Sequence, residues 1–408
     1  MNILLIDHYA GSPELGMEFR PFYMAKEWMK QGHKVLIVGA TFSHLRKKQP
    51  LRSGKEMING IDYYWIKTNV YKGNGIGRII SMFVFVFKLM FGLKRLYDSF
   101  KPNMVIASST YPLDIYPARK IAQHYKAKLI YEVHDLWPLS PIELGGYSKK
   151  HPFIWVMQKA ENFAYKHVDA VVSMLPKAKD YMMEHGLLES KFYYVPNGIV
   201  ESDWQNPKDL HGEHLSFLEK LRTDNKFIVG FTGAHGIANS LQVVIDAVSM
   251  LVDRNIVLVL VGTGHEKERL IHYVKTQKIS NVYFLPPVDK LMIPSLLKCM
   301  DILYIGLQKQ SLFRFGISPN KIFDYMMARK PVIQAIEAGN NLVQEAKCGI
   351  DVEPDNVVEI SRAICDLQKM SEEQRLQLGE NGYRFVMNNH TYSVLGQKFL
   401  DVMININK

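Results

Sequence analysis

The chain has 408 residues and a mass of 47.0 kDa, about twice the size of a usual domain, so two domains are expected. Hydrophobic residues make up 47% of the sequence, which is enough to bury sizeable cores. The three cysteines, Cys299, Cys348 and Cys365, lack metal-ligand spacing and predict ordinary packing in a reducing compartment.

The positive charge lies in the first half of the chain. The formal net charge is +10; residues 1–200 carry 27 Lys and Arg against 16 Asp and Glu, whereas residues 201–408 carry 23 against 24. A basic half suits nucleic acid, an anionic membrane or an acidic substrate, and charge alone does not choose between them. Because no aromatic-interleaved basic strand or recognition helix is found, nucleic acid is not expected as a partner.

The N-terminus enters a strand pattern directly, without the features of a secretory signal, and this predicts a cytoplasmic protein. Short apolar strands then alternate with amphipathic helices, as in parallel sheets covered by helices. In the first half the predicted strands are "NILLID", "KVLIVGA", "MVIASS", "KLIYEV", "DAVVSM" and "FYYVP". In the second half they are "FIVGFTG", "VLVLVGTG", "VYFLPP", "DILYIGL", "PVIQAI" and "GIDVEP". The pattern predicts an α/β protein with two Rossmann-like domains joined near "PNGIVESDW".

The first glycine-containing loop, "AGSPELGMEFRP", places Gly11 and Gly16 before a predicted helix. Ligands of such sheets bind at the carboxyl ends of the strands, so the cleft between the domains is the expected active site. We expect Gly16 and Arg20 to lie on the first domain's side of this cleft. Arg20 is interpreted as an unmatched cation that meets a ligand phosphate.

The segment "GIGRIISMFVFVFKLMFGLKRLYDSF", residues 75–100, breaks the alternation because it is apolar nearly all round. A membrane-spanning helix needs about 20 apolar residues, and Lys88 interrupts this run. The phenylalanines and flanking cations favour a helix that lies on an anionic membrane surface. The alternative is a buried domain helix with a snorkelling lysine.

Two glycine turns follow the first strands of the second half. In "TGAHG" the bare backbone of Gly233 and Gly236 would permit close approach of a diphosphate. In "VGTGHE" we expect Gly262 and Gly264 to serve the turn. A glycine turn alone is a weak signal, so these assignments depend on the motif further along the chain.

That motif is "GISPNKIFDYMMARKPVI", residues 316–333, which predicts a helix followed by a strand. Pro319 suits the first helical position and Ser318 is a good cap. The helix start and Lys321, in the first turn, would then form a phosphate cradle. Asp324, one turn later, could accept hydrogen bonds from sugar hydroxyls. The alternative is a surface helix with a Lys321–Asp324 pair, which the spacing alone favours.

This motif resembles the signature of retaining glycosyltransferases of the GT-B fold, family 4. Three further motifs are similar to that family in the same order: "YEVHDLWP" at 131–138, "VPNGI" at 195–199 and "LVGTGHEKERL" at 260–270. The segment "DHYAGSPELGMEFRP" resembles the bacterial surface-polysaccharide branch that includes N-acetylfucosamine transferases. We therefore expect an acceptor domain at 1–195, a nucleotide-sugar domain at 196–385 and a C-terminal helix at 386–408 packing back toward the first domain. The residues expected on the acceptor side are Gly16, Asp135 and Arg20, with Arg20 on an acceptor phosphate.

The chain departs from the family pattern where two glutamates are usual, because Gly316 takes the first position and Asp324 the second. The resemblance implies that this stretch binds the donor's diphosphate and ribose. The residues expected there, besides Asp324 on the ribose, are Gly316, Ile317, Ser318, Pro319 and Asn320.

A second departure concerns the diphosphate. The family often has an Arg and a Lys after the first strand of the second domain, whereas "GFTGAHGIANSL" offers His235 and Asn239. Lys321 would carry more of the charge compensation, with Arg314 as a second candidate. Loss of both family features leaves altered or lost catalysis as an open alternative.

The resemblance also implies a histidine near the donor sugar and the acceptor, which His134 in "HDLWP" matches. Asp135 beside it would cap or orient, while a purely structural histidine is the alternative. His134 and Lys321 are therefore the expected catalytic residues. Fixed donors aimed at the leaving diphosphate would lower the barrier. The family implies retention of configuration without a metal or other cofactor.

The expected function is transfer of an N-acetylated hexosamine or deoxyhexosamine from a UDP-sugar to a polyprenyl-diphosphate-linked saccharide in O-antigen or capsule biosynthesis. The enzyme would be peripheral on the cytoplasmic face of the inner membrane. One alternative is a non-hydrolysing UDP-sugar 2-epimerase, which shares the fold and the donor but needs carboxylate acid/base groups. Another is a nucleotide-sugar-binding protein without turnover.

Overall fold

The computed structural model describes residues 1–210 and 212–408. The chain forms two compact units. Unit 1 consists of Met1–Asn197, Phe315–Ser318 and Tyr392–Lys408, and unit 2 consists of Gly198–Arg314 and Pro319–Thr391. Each unit is a sheet covered by helices.

The sheet of unit 1 is mainly parallel. Its strands are β1 (Asn2–Ile6), β2 (Lys34–Ala40), β3 (Gly54–Ile58), β4 (Ile61–Ile66), β5 (Met104–Ala107), β6 (Lys128–Val133), β7 (Ala170–Ser173) and β8 (Phe192–Tyr194). They lie in the order β3-β4-β2-β1-β5-β6-β7-β8, and only β3 and β4 pair antiparallel.

The sheet of unit 2 is parallel throughout. Its strands are β9 (Phe227–Thr232), β10 (Ile256–Val261), β11 (Val282–Leu285), β12 (Ile302–Gly306), β13 (Val332–Ala335) and β14 (Gly349–Val352). They lie in the order β11-β10-β9-β12-β13-β14. β10 is buried along its whole length, as expected for a parallel strand with both faces covered.

The helices alternate with the strands. They are α1 (Arg20–Lys30), α2 (Ile76–Phe91), α3 (Lys94–Phe100), α4 (Ile115–Tyr125), α5 (Leu139–Glu143), α6 (Pro152–His167), α7 (Lys179–Glu184), α8 (Ser202–Gln205), α9 (Glu213–Thr223), α10 (Leu241–Ser249), α11 (Lys267–Thr276), α12 (Ile293–Lys298), α13 (Asn320–Met327), α14 (Leu342–Ala346), α15 (Val357–Lys369), α16 (Glu372–Asn389) and α17 (Tyr392–Asn407). α1 to α7 and α17 belong to unit 1, and α8 to α16 belong to unit 2.

The predicted α/β class with two parallel sheets is confirmed, and every strand predicted from the sequence is present. The expectation of six strands in the first half is wrong, because β3 and β4 form an additional hairpin. Its two turn residues, Asn59 and Gly60, have φ values of 50° and 85°. An Asn-Gly pair between two strands is a strong hairpin signal, since both residues accept positive φ. The hairpin could therefore have been predicted.

The apolar segment 75–100 forms two helices rather than one. α2 ends at Phe91, and α3 begins at Lys94 after a bend of 59°. None of the described helices is long and apolar enough to span a membrane alone, whereas α2 and α3 together meet the length and composition requirement as a bent pair.

α2 has apolar residues on two faces. One face is buried in unit 1 through Met82, Phe85 and Leu89. The other face exposes an apolar stripe, which consists of Ile76, Ile80, Phe83, Phe87 and Phe91. The exposed fractions of these side chains run from 46% to 75%. The buried face fits the domain helix that was the alternative expected from the sequence, and contact of the exposed face with a membrane stays a prediction.

The C-terminal helix α17 packs on α1. The Trp28 indole nitrogen donates to the carbonyl of Gly396 at 3.1 Å, and the ring centroids of Trp28 and Phe399 lie 5.1 Å apart. A Cβ atom on Gly396 would lie 2.6 Å from Cβ of Glu27. Because the position of the Glu27 Cβ atom is fixed by the backbone of α1, the two helices would have to move apart to accommodate a side chain at Gly396.

Gly396→Ala is therefore expected to destabilise unit 1 by about 1 to 3 kcal/mol through overpacking. Without the close contact, the same change inside a helix would stabilise by about 1 kcal/mol. Urea unfolding measures the sign, with the exposed neighbour Gln397→Ala as the control. A higher urea midpoint for Gly396→Ala would contradict this packing.

Candidate active site

Three neighbouring strands of unit 1 end in polar residues. Asp7 follows β1, Ser108 follows β5 and His134 follows β6, and these strands lie side by side in the sheet. The carboxyl ends of parallel strands meet at one edge, where ligands of such sheets bind. The sequence analysis found His134 here but missed Asp7 and Ser108. The signal was available, since each residue directly follows a predicted apolar strand.

His134 is held through one ring nitrogen. Its Nε2 lies 2.9 Å from Oγ of Ser108 and 3.5 Å from Oε2 of Glu132. Burial alone would lower the pKa of His134, but the hydrogen bond and negative charge of Glu132 outweigh burial and raise the pKa above its ordinary value. His134 therefore keeps its proton to higher pH than an ordinary histidine. These contacts leave Nδ1 as the ring nitrogen available to a ligand.

Arg20 is the partner that keeps Glu132 charged. Its Nε donates to Oε1 of Glu132 at 2.8 Å, and its other two nitrogens donate to the carbonyls of Val195 at 2.9 Å and Pro196 at 2.5 Å. Arg20 and Glu132 are 1% and 2% exposed. Burial alone would raise the pKa of Glu132, but Arg20, together with His134 and Ser108, lowers it to about 2. The prediction that Arg20 is an unmatched cation for an acceptor phosphate is wrong, because its guanidinium is buried and paired.

Asp7 is a buried carboxylate beside this group. Its Oδ1 accepts a hydrogen bond from the backbone of Tyr9 at 2.9 Å, while its Oδ2 has no hydrogen-bond partner. Burial raises the pKa of Asp7 to about 7, although the charge of His134 acts in the opposite direction. An acidic group that titrates near neutral pH at a strand end is a candidate for proton chemistry.

The remaining residues expected on the acceptor side have local roles. Asp135 accepts from the backbone of Leu136 at 2.9 Å, and burial raises its pKa. Gly16 exchanges backbone hydrogen bonds with Ser12 and has a φ of 97°, so it closes the loop before α1. The Gly16 N–H is already used within that turn, and a direct acceptor contact stays a prediction.

In unit 2, the loops after β9 and β10 pack backbone against backbone. A Cβ atom on Gly262 would lie 1.9 Å from the carbonyl oxygen of Gly233, and one on Gly264 would lie 2.3 Å from that of His235. Gly233 itself has a φ of 137°. These glycines allow the two loops to touch at the carboxyl edge of the sheet. Gly236 lies in the same loop.

Lys321, in the first turn of α13, points toward this loop. Its Nζ donates to Oδ1 of Asn239 at 2.5 Å and lies 4.4 Å from the ring centroid of Phe231. A Cβ atom on Gly233 would be 3.4 Å from the same nitrogen. Asn239 also donates to the carbonyl of Ala234 at 2.9 Å. The structure thus brings Lys321, Gly233 and Asn239 together, as the sequence predicted.

Burial lowers the pKa of Lys321 to about 8. A lysine in this state is still mainly charged at neutral pH, and a bound anion would favour its charged form.

His235 does not supply a second cation. Its side chain is fully buried, and neither ring nitrogen has a hydrogen-bond partner. Burial, together with the charges of Lys267 and Lys321, lowers the pKa of His235 to about 4. A neutral imidazole does not add positive charge to the loop, and contact between His235 and the donor stays a prediction.

The start of α13 differs from the prediction by one residue. Pro319 is the N-cap and Asn320 is the first helical residue. Ser318 does not cap the helix, because its Oγ accepts a hydrogen bond from the backbone of Asn197 at 3.1 Å. Asp324 does not pair with Lys321; it accepts a hydrogen bond from the Trp204 side chain.

Asp324 lies near two charged residues of unit 2. Burial raises its pKa to about 7, while Lys290 lowers it and Asp203 raises it. Lys290 and Asp203 form their own ion pair at 2.6 Å. Contact between Asp324 and a ribose stays a prediction.

The stretch around Gly316 divides between the units. Phe315–Ser318 belongs to unit 1, where the carbonyl of Phe315 accepts from the backbone of Lys177 at 2.9 Å. Gly316 has a φ of 102°, and Ile317 is buried. Arg314, in unit 2, donates to the carbonyl of Ser311 at 2.6 Å. The sequence analysis expected this whole stretch in one donor-binding domain, whereas the structure divides it between the two units.

Among residues 1–210 and 212–408, no group of three or more His, Cys, Asp or Glu side chains could hold a metal ion.

Glu132→Gln is expected to lower the pKa of His134 below that of an ordinary histidine. Burial lowers this pKa, and the negative charge of Glu132 would no longer outweigh burial. An NMR pH titration measures this shift, with the ring signal identified by its loss in His134→Ala. The exposed Glu184→Gln serves as the control. An unchanged pKa for His134 in folded Glu132→Gln would show that Glu132 does not set its charge.

Two family models and several known proteins are similar to this chain. The model described as Glycosyltransferase Family 4 matches residues 16–202, and that described as Glycosyl transferases group 1 matches residues 226–370. A putative colanic acid biosynthesis glycosyl transferase, WcaI of Escherichia coli (strain K12), is 24% identical over 59% of this chain and 60% of its own length. An uncharacterized glycosyltransferase of Methanocaldococcus jannaschii is 23% identical over 56% of each chain. These matches thus span less than two thirds of either curated relative.

Solved structures extend the likeness to the whole fold. The crystal structure of HepE from Anabaena in complex with UDP and glucose matches 99% of both chains with a TM-score of 0.67 and 16% identity. At this identity the match shows the fold alone. Residues 16–202 are therefore similar to Glycosyltransferase Family 4 and residues 226–370 to Glycosyl transferases group 1, and the two α/β units match the GT-B glycosyltransferase fold.

Proposed function

We propose that the chain is a retaining glycosyltransferase that moves a sugar from UDP to a polyprenyl-diphosphate-linked saccharide without a metal. The donor sugar is an N-acetylated hexosamine or deoxyhexosamine, and the product serves surface-polysaccharide synthesis. Unit 2 takes the donor and unit 1 takes the acceptor.

The observation that carries the proposal is the position of Lys321. Its ammonium group lies against the Gly233 turn, at the first turn of α13 and the carboxyl edge of the sheet. A helix start favours an anion through its N–H groups and dipole, and Lys321 adds a full positive charge. Asn239 already accepts a hydrogen bond from Nζ, so a diphosphate oxygen would replace or share an existing acceptor.

The chemistry follows from where charge develops. As the bond at the anomeric carbon breaks, negative charge builds on the leaving diphosphate, and the sugar becomes oxocarbenium-like. A positioned cation at the diphosphate stabilises that state more than the ground state. In this scheme Lys321 opposes the diphosphate, Asp324 binds the ribose, and His134 contacts the acceptor and the donor sugar through Nδ1.

The relatives support the substrate classes. HepE is seen with UDP and glucose, and WcaI is named for colanic acid, a polysaccharide. Both agree with a nucleotide-sugar donor and a saccharide product. The specific sugar, the lipid-linked acceptor and retention are our proposals from the motifs.

The acceptor and the membrane are assigned to unit 1. The apolar stripe of α2 offers exposed phenylalanines, and the first half of the chain has a strong excess of cations. This combination suits a helix that lies in the surface of an anionic membrane. We place the protein on the cytoplasmic face of the inner membrane, where a polyprenyl-linked acceptor would be reached.

The direct test incubates the purified chain with labelled UDP-N-acetylhexosamines, with and without a polyprenyl-diphosphate saccharide in vesicles. Acceptor-dependent transfer of label to the lipid, with retained anomeric configuration and in the presence of a chelator, is the expected result. Conversion of the UDP-sugar to an epimer would identify the 2-epimerase instead. Tight UDP-sugar binding with no product would identify a binding protein.

Lys321→Ala is expected to lower kcat/KM by about 10²- to 10³-fold, as loss of one positioned donor does in other enzymes. The exposed Lys275→Ala, in the same unit, is the control.

The pH dependence of UDP binding gives a second prediction. The affinity of the native chain for UDP should fall as pH rises above about 8, because unliganded Lys321 then loses its proton. This decline should be absent in Lys321→Ala. Steady-state kinetics and calorimetric UDP titrations measure both effects, and a near-normal kcat/KM for Lys321→Ala would remove the proposed cradle.

A further inference from the structure

An apolar cavity lies among α2, α3 and α4 of unit 1. Its volume is about 350 Å³, and its lining is mainly apolar and aromatic: Leu89, Met90, Tyr97, Pro117, Ile121 and Tyr125. Tyr97 belongs to this lining and is 4% exposed, and its hydroxyl is buried without a hydrogen-bond partner.

A second cavity, of about 660 Å³, adjoins the first at the break between α2 and α3. The two share Phe91 and Lys94 in their linings. The second cavity adds the exposed cations Lys55 and Arg95. One apolar compartment and one basic compartment thus meet at Lys94.

The first cavity also has cations at its rim. Lys120 lines it, and its ammonium lies 4.8 Å from the ring centroid of Phe91. The nearby carboxylate of Asp98 accepts a hydrogen bond from the Tyr125 hydroxyl. The balance of charge around the two cavities is therefore positive, which suits an anionic group.

The cavities are continuous with the apolar stripe of α2. Phe91 is the last residue of that stripe and lines both cavities. A membrane surface that met the stripe would therefore reach the entrance of the apolar cavity. This continuity argues for a lipid as the occupant rather than a soluble anion or a peptide.

The position of the cavity separates it from the candidate active site. α3 leads into β5 and α4 leads into β6, so the cavity lies toward the amino ends of these strands. His134 follows the carboxyl end of β6. A ligand here would not compete with an acceptor at the opposite edge of the sheet.

We propose that unit 1 binds one anionic phospholipid at this place. One acyl chain occupies the apolar cavity, and the headgroup phosphate lies between Lys94, Arg95 and Lys55. The inference rests on the proposed membrane contact of α2 and deepens it, because it turns a general surface affinity into a defined lipid site. It does not depend on sugar transfer.

The test uses dihexanoyl phosphatidylglycerol as a monomeric probe, titrated into the full chain and followed by native mass spectrometry and calorimetry. Saturable one-to-one binding is expected, with weaker binding of dihexanoyl phosphatidylcholine. Lys94→Glu with Arg95→Glu should weaken binding by about 25-fold, since each cation near a lipid headgroup contributes about five-fold. Lys149→Glu with Lys150→Glu makes the same charge change elsewhere in unit 1 and should have little effect.

Two further variants separate the cavity from the charge. Ile121→Trp fills the apolar compartment and should abolish binding of the probe, whereas Tyr97→Phe removes only a hydroxyl that does not face the cavity and should leave binding unchanged. Circular dichroism confirms that both variants are folded. No binding of the probe, equal affinity for the two lipids, or unchanged binding in folded Ile121→Trp would overturn the proposal, as would occupation of the site by a second copy of the chain.

Vesicle partition distinguishes this site from the broader membrane contact. Phe83→Asp with Phe87→Asp should reduce partition to phosphatidylglycerol vesicles, while binding of the monomeric probe is retained. If these two substitutions leave partition unchanged, the proposed membrane contact of the stripe is wrong, whatever the probe does. Loss of probe binding in the stripe variant would instead show that the two surfaces are not separate and would refute a defined cavity site.

Discussion

The buried ion pair between Arg20 and Glu132 is the interaction on which the candidate site of unit 1 depends. It joins the first residue of α1 to β6, and the same guanidinium binds the backbone just after β8. Removing one partner of a buried pair leaves an uncompensated charge and costs about 3 to 5 kcal/mol. The pair therefore does two things: it connects distant parts of the unit, and it keeps Glu132 ionised beside His134.

The charge on Glu132 then determines the state of His134. A buried histidine would ordinarily lose its proton easily, whereas His134 keeps its proton because Glu132 lies 3.5 Å from Nε2. The pKa of Asp7 is also raised, to about 7, in this case by burial. The two raised pKa values favour the charged form of His134 and the neutral form of Asp7 at one sheet edge. Shifted groups of this kind are typical of sites that handle protons or developing charge.

Unit 2 has few positively charged residues at its candidate diphosphate site. Its first glycine turn has no Arg or Lys, and His235 within the turn is neutral and enclosed. The positive charge comes instead from Lys321, which is distant in sequence but lies beside Gly233 and donates to Asn239. This arrangement explains why one lysine is expected to carry so much of the donor's charge compensation.

The sequence was sufficient to predict every strand except β3 and β4, because parallel strands with two covered faces are short, continuous apolar runs. It also predicted that Lys321, Gly233 and Asn239 lie together, whereas binding of a diphosphate there stays a prediction. It failed for Arg20, whose partner lies 112 residues away, since single-sequence patterns carry no information on such pairing. It failed for Ser318 because a backbone N–H far along the chain competes for its hydroxyl. The unpartnered hydroxyl of Tyr97 is likewise a property of packing and has no sequence signal.

The central claim is that the diphosphate of a nucleotide-sugar donor binds at Lys321. The most direct measurement is a crystal structure of the chain with UDP. The account predicts a diphosphate oxygen within hydrogen-bonding distance of Lys321 Nζ, at the first turn of α13 and beside Gly233. A UDP diphosphate bound elsewhere, with Nζ still donating only to Asn239, would contradict it.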